Sequence, residues 1–192
     1  MNSLRVIAGS ARGRRLKGPK GTNTRPITDF IKEALFNTLG PDIDNSAFLD
    51  LFSGSGSVGI EAKSRGASLV VFIDQDANAI KTIKENLAIC RFEGGFEIYR
   101  KDVFAALPML RRRGLKFDYI YADPPFTEET IFIRVIEKVE EARILKEEGI
   151  FIIRANRKTL LPVENGEFYK FRTKDYGLST LHYYQIIGGE KN

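Results

Sequence analysis

Short runs dominated by apolar residues alternate along this chain with stretches that are apolar on one side only. Ala47–Phe52, Leu69–Ile73, Phe117–Ala122 and Gly149–Ile153 are such runs. A strand that is apolar on both faces must be covered on both, which describes the interior of a parallel sheet. The intervening stretches carry the helical period. Asp76 can cap a helix with Ile80, Ile83 and Leu87 inward, and Thr127 one with Phe132, Val135, Ile136 and Val139 inward. Gly94-Gly95 precedes a further strand at Phe96–Tyr99, and a short helix is expected around Phe104–Leu110. Phe168–Thr173 and Leu181–Ile187 are separated only by a turn around Asp175–Gly177. That leaves no room for a crossover, so these two strands pair antiparallel.

The expected fold is therefore α/β: a mostly parallel, seven-stranded, Rossmann-like sheet that ends in an antiparallel hairpin. It should occupy residues 28–192, entered by a helix that Thr28 and Asp29 open, that carries Ile31, Leu35 and Leu39 on one face, and that Gly40-Pro41 ends. Residues 1–27 read as a separate basic arm or β-hairpin, with a short strand at Leu4–Ala8 and glycine turns after it. Residues 1–28 hold no acidic residue and seven basic ones: Arg5, Arg12, Arg14, Arg15, Lys17, Lys20 and Arg25. The rest of the chain holds 23 basic and 25 acidic groups, so the net charge of +5 originates in the arm. A near-neutral body with a basic arm suits a polyanion partner, because neutralising phosphates releases counterions. A solvated terminus accounts for the charge equally well. One cysteine, Cys90, and one histidine, His182, argue against a disulfide and against a zinc site. No apolar run approaches the roughly 20 residues that span a bilayer, and the start lacks a signal-peptide core. A cytoplasmic monomer without a metal is expected.

Gly54-Ser-Gly-Ser-Val-Gly59 follows the first strand and opens a helix, the context in which G-x-G-x-x-G brings backbone close to a nucleotide-like ligand. Asp74 closes the second strand, where a carboxylate can accept ribose hydroxyls. NAD and S-adenosylmethionine both fit so far. Asp50, just before the glycines, would repel a pyrophosphate but could hold a methionine ammonium. Asp102, after the third strand, could accept from an adenine amino group. Asp123-Pro124-Pro125-Phe126 ends the fourth strand and has no use in a dinucleotide oxidoreductase. Any one of these aspartates could be a turn residue. Four of them ending four successive strands favour S-adenosylmethionine.

Asp123–Phe126 resembles the D/N-P-P-Y/F motif of amino-group methyltransferases. An exocyclic base amine is a weak nucleophile because its lone pair is delocalised into the ring. The Asp123 carboxylate and the Pro124 carbonyl can accept its two N–H groups and aim the lone pair at a methyl donor. Pro125 stiffens the turn, and Phe126 can stack on a base taken out of its helix. His182 and Cys90 read as structural, as do Tyr119 and Tyr121, which share one face of their strand. Arg111–Arg113 with Lys116 read either as phosphate contacts or as a solvated helix end.

Nearly the whole chain resembles the RsmD family of bacterial 16S ribosomal RNA guanine-N2 methyltransferases. The pieces are Arg5-Val-Ile-Ala-Gly9 with the basic stretch, Thr24-Arg-Pro26 leading to Glu33-Ala-Leu-Phe-Asn37, Leu49-Asp-Leu-Phe-Ser-Gly-Ser-Gly56, and Asp123–Phe126. The resemblance implies a class I S-adenosylmethionine-dependent methyltransferase fold and methylation of guanine N2 in 16S rRNA of the small subunit or its assembly intermediate. It assigns the methionine part of the cofactor to Asp50, Ser53, Gly54 and Gly56. The ribose goes to Asp74, the adenine to Asp102, and the target base to Asp123–Phe126, with Asp123 also bordering the cofactor. Arg25 would line the site, and Arg5, Arg12, Arg14, Arg15 and Lys17 would grip RNA. Asp74 departs from the glutamate expected in many relatives. The rival readings are an amino methyltransferase acting on DNA or protein glutamine, an NAD-linked oxidoreductase, and a non-catalytic RNA-binding factor.

Overall fold

The computed structural model describes residues 4–18, 27–126 and 130–188. Its centre is one sheet in the order β3-β2-β1-β4-β5-β8-β7-β6. Strands β1 (Ala47–Leu51), β2 (Leu69–Asp74), β3 (Phe96–Arg100), β4 (Phe117–Ala122) and β5 (Leu145–Asn156) are mutually parallel. Strands β7 (Phe168–Tyr176) and β8 (Ser179–Ile186) form the antiparallel hairpin, with β8 against β5. The seven strands read from the sequence are all present. An eighth, the two-residue β6 (Glu164–Asn165), pairs with β7 at the edge.

Helices α1 (Asp29–Leu39), α2 (Ser57–Ser64) and α3 (Ala77–Ile89) cover one face of the sheet, with Leu35, Phe36, Ile60, Ile83 and Leu87 packed on Phe48, Phe72 and Tyr121. Helices α4 (Val103–Arg112) and α5 (Thr130–Ala142) cover the other. The expected caps operate: the Thr28 side chain accepts from Ile31 N–H and that of Asp76 from Asn78 N–H. Thr127, read as a cap for α5, lies outside the described residues. Among the described residues no helix is long and apolar enough to cross a membrane.

Strand β5 extends on both sides of the run Gly149–Ile153, through a register shift against β4. Its C-terminal extension carries Arg154, which the hydrophobic run had excluded.

The strand expected at Leu4–Ala8 is reduced to a single antiparallel bridge, Arg5 to Arg15, closed by Val6 N–H to Arg14 O and Leu16 N–H to Leu4 O. This segment packs directly on the body. Val6, Ala11 and Leu16 join the core, while Arg5, Arg12, Arg14, Arg15 and Lys17 stay exposed. The anchor is Glu61 on α2, fully buried, whose carboxylate accepts from Ile7 N–H (2.8 Å), Ala8 N–H (3.0 Å) and Arg65 Nε (2.8 Å). Lys32 of α1, also fully buried, lies 3.8 Å from Glu61 and donates to Arg5 O. Burial pushes the Lys32 ammonium pKa down, and Glu61 and Asp29 oppose that shift. Gly9 has φ +82°, and a Cβ there would stand 1.8 Å from Ser64 O. Only glycine lets the segment lie this close to α2.

Candidate active site

The sheet's strand order reverses between β1 and β4, and the crevice beyond the strand ends at such a point is where α/β sheets bind ligands. Register brings the carboxylates together. Asp50 of β1 stands beside Phe72 of β2 and Tyr121 of β4. Asp74 and Asp123 lie two residues further along those strands, hence on the same face as Asp50. Asp102 follows β3 and caps α4 by accepting from Ala105 N–H at 3.2 Å.

Asp50 is 1% exposed and accepts one hydrogen bond, from Gly59 N–H at 3.0 Å. Among the described residues no cation lies within ion-pair distance of it. Burial pushes its carboxyl pKa well above the usual range; the Gly59 N–H opposes this, and the neighbouring Asp123 and Asp74 add to it. A carboxylate built in this way is charged at low cost only when a cation meets it; without one it holds its proton.

The turn after β1 runs through left-handed backbone at Phe52 (φ 57°), Gly54 (φ 54°) and Gly56 (φ 74°). An aromatic residue in that region is strained, and such strain concentrates at ligand sites. A Cβ on Gly54 would meet nothing within 4 Å, so the loop backbone there faces open space; one on Gly59 would stand 2.4 Å from the Phe72 ring. The third glycine therefore serves helix–strand packing, as G-x-G-x-x-G predicts. Ser53 joins the ends of β1 and β2, its hydroxyl lying 2.6 Å from Asp50 O and accepting from Ile73 N–H at 3.0 Å. Asp74 braces the turn as well: its two oxygens accept from Gly54 N–H (2.8 Å) and Asp76 N–H (2.9 Å). A carboxylate has about four acceptor positions, so two remain for ribose hydroxyls. Asn86 of α3 ties the loop to the basic segment, donating to Ser55 O (2.9 Å) and Lys17 O (3.0 Å) and accepting from Lys17 N–H (2.8 Å).

At the end of β4, Asp123 Oδ2 accepts from Arg154 Nη1 at 2.7 Å and from the Tyr121 hydroxyl at 3.4 Å. Arg154 is 3% exposed, its Nε donates to Ser179 Oγ at 3.2 Å, and its guanidinium carbon lies 5.6 Å from the centre of the Phe126 ring. Burial raises the Asp123 carboxyl pKa, while the Arg154 guanidinium and the Tyr121 hydroxyl oppose the rise. Pro124 is buried and Phe126 is 43% exposed. Arg154 thus orients both the acid and the ring of the Asp-Pro-Pro-Phe turn. Sequence reasoning missed it, although it is a polar residue ending an apolar strand run, the same signal that marked Asp50, Asp74 and Asp123. Tyr121 packs in the core, as its strand face predicts, and its hydroxyl also reaches Asp123.

Of the other sequence-predicted residues, Arg25 lies outside the described residues. Arg5 and Lys17 pair with Asp29 (3.0 Å) and Glu85 (2.9 Å). Arg113 binds Glu97 and Tyr99 of the edge strand β3, and Arg111 donates to Glu141 O of α5. They read as a helix end. His182 is buried, and burial lowers its pKa to about 4, so it is neutral near pH 7. Cys90 is buried with its thiol pKa raised to about 11, which makes it unreactive.

Known proteins match this arrangement along its length. The family described as conserved hypothetical protein 95 matches residues 4–185. The chain belongs to this family, the RsmD family. It is 39% identical to YlbH of Bacillus subtilis (strain 168), provisionally named an rRNA methyltransferase, over 96% of this chain and 100% of that one. It is 30% identical to ribosomal RNA small subunit methyltransferase D of Escherichia coli (strain K12), over 95% of this chain and 89% of that one. Among solved structures, the Escherichia coli protein yhhF, provisionally titled a methyltransferase, superimposes with a TM-score of 0.83 at 30% identity, covering 96% of this chain and 98% of that one. The class I methyltransferase fold read from the sequence is the fold of these relatives.

Proposed function

We propose that this chain is a cytoplasmic rRNA methyltransferase that transfers a methyl group from S-adenosylmethionine to the exocyclic N2 amine of a guanine in 16S rRNA of the small ribosomal subunit. The names of its family relatives support the substrate class. The observation that carries the chemistry is Asp123, held by Arg154 and Tyr121 at the strand end near the buried Asp50, which has no ion-pair partner among the described residues.

The residues present fit the donor. Asp50 would hold its ammonium group, Gly54 and Gly56 would let the backbone approach, Asp74 would take the ribose and Asp102 the adenine amino group. When bound, S-adenosylmethionine supplies an electrophilic methyl group on a positively charged sulfur. Asp123 Oδ1 and the Pro124 carbonyl accept the two N–H groups of the target amine, which turns its lone pair toward the methyl and favours the growing positive charge. Asp123 Oδ1 then takes the proton that leaves once the nitrogen carries four bonds. Arg154 opposes the rise that burial imposes on the pKa of that carboxyl group, and Phe126 stacks on the extruded guanine. Residues 1–27 form the RNA arm, with Arg5, Arg12, Arg14, Arg15 and Lys17 facing the phosphates.

The test is methyl transfer from labelled S-adenosylmethionine to small subunits that lack the modification, followed by nucleoside analysis. N2-methylguanosine in the small-subunit RNA is expected. Label appearing only in DNA or protein would overturn the substrate.

A further inference from the structure

We propose that Phe30, with Tyr176 and Leu178 at the tip of the β7–β8 hairpin, forms a stacking platform for single-stranded RNA nucleotides that flank the methylated base. This rests on the rRNA methyltransferase reading and adds to it a second contact surface, apart from the basic segment and the Asp-Pro-Pro-Phe turn.

The platform lies at the rim of the site. Tyr176 pairs with Ser179 across the hairpin turn, and the Ser179 hydroxyl accepts from the guanidinium that binds Asp123. The ring of Phe30, in the first turn of α1, lies 5.9 Å from that of Tyr176 at 80°. An edge-on contact of this kind leaves a ring face open to a third planar group. Phe30 is 69% and Leu178 70% exposed, so two large apolar side chains face water, Phe30 against Tyr176 and Leu178 next to Ser179.

Charge selects the occupant. The segments that meet at the platform carry more exposed cations than carboxylates: Arg5 beside Asp29 of α1, Arg157 and Lys158 after β5, where Arg157 N–H donates to Leu178 O, and Arg172 and Lys174 on β7, against Asp29, Glu33 and Asp175. Asp29 is already paired with Arg5 and Asp175 with Arg157. Apolar and aromatic side chains within a positive rim are how sequence-tolerant single-strand sites are built, with bases on the rings and phosphates on the cations. A base drawn out of its helix leaves unstacked neighbours, and these need such a surface.

The chain has no tryptophan, so Phe30→Trp introduces a unique fluorophore. Its emission should be quenched by a short unstructured RNA oligonucleotide and by small subunits. Phe30→Ala combined with Leu178→Ser should raise the KM for small subunits about tenfold, with kcat and the melting shift given by S-adenosylhomocysteine unchanged. Phe30→Tyr should restore the KM. A parental enzyme active on subunits, with an unaltered KM in the double variant, would overturn the platform. So would quenching by RNA-free ribosomal proteins but not by RNA, which would assign the surface to a protein partner. If the parental enzyme does not methylate subunits at all, the functional reading fails, and quenching by the oligonucleotide alone decides the platform.

Discussion

Replacing Asp50 by Asn separates the cost of a buried charge from its use. The amide oxygen can still accept from Gly59 N–H, so the turn after β1 should survive. In the ligand-free chain the Asp50 carboxyl holds its proton to a higher pH than in the unfolded chain, because burial disfavours the charge. The folded state then binds more protons than the unfolded one. Stability therefore falls as pH rises from the unfolded value, about 3.9, up through the raised folded value. An amide removes that loss. Asp50→Asn should gain about 1–2 kcal/mol at neutral pH, on the scale of an under-satisfied buried polar group. For a chain of this length that is a rise in Tm of about 2–8 °C. Cofactor binding should move the other way. Removing one partner of a buried charge pair costs about 2–5 kcal/mol, and a solvent-facing cleft calls for the lower part of that range. S-adenosylhomocysteine should therefore bind roughly 30- to 400-fold more weakly at about 2–3.5 kcal/mol. Thermal unfolding across neutral pH, with calorimetric titration of S-adenosylhomocysteine, measures both. A variant that melts lower than its parent and binds the ligand equally well would refute the reasoning.

Asp123→Asn should cut methyl transfer by about a hundredfold or more, the scale of losing one transition-state hydrogen-bond partner, and leave S-adenosylhomocysteine affinity unchanged. Equal losses in both measurements would contradict the division of labour. Arg154→Met removes the guanidinium that opposes the raised pKa of Asp123, so the acid limb of the kcat–pH profile should move to higher pH. An unmoved limb would show that Arg154 does not govern that carboxylate. Arginines 12, 14 and 15 make no ion pair with described residues; replacing all three by Ala should flatten the salt dependence of RNA binding by about two to three units of slope. An unaltered slope would remove them from the interface.

The architecture, and the placement of carboxylates at its strand ends, can be read from the amino-acid string. A strand apolar on both faces is recognisable without its neighbours, and the carboxylates at the ends of such strands share an edge once the sheet is parallel. The strand-end positions of Asp50, Asp74, Asp102 and Asp123, and the glycine turn between β1 and α2, are legible for that reason. Caps were legible too, since Thr28 and Asp76 act on amides two or three residues away. The features that no local pattern carries involve partners distant in the chain. Arg154 meets Asp123 across 31 positions, and it lies beyond the apolar run that identified its strand. Glu61 and Lys32 look like surface charges on short helices, yet they are buried because a basic segment more than 50 residues from Glu61 folds back over α2 and is held by its carboxylate. Charge alone makes that segment look like a separate arm, because charge is visible locally. Its attachment depends on Val6, Ala11, Leu16 and a close approach at Gly9, which no local pattern encodes. Periodicity and capping act within a few residues and can be read from a string, whereas buried ion pairs and close backbone contacts exist only once the chain has brought their members together.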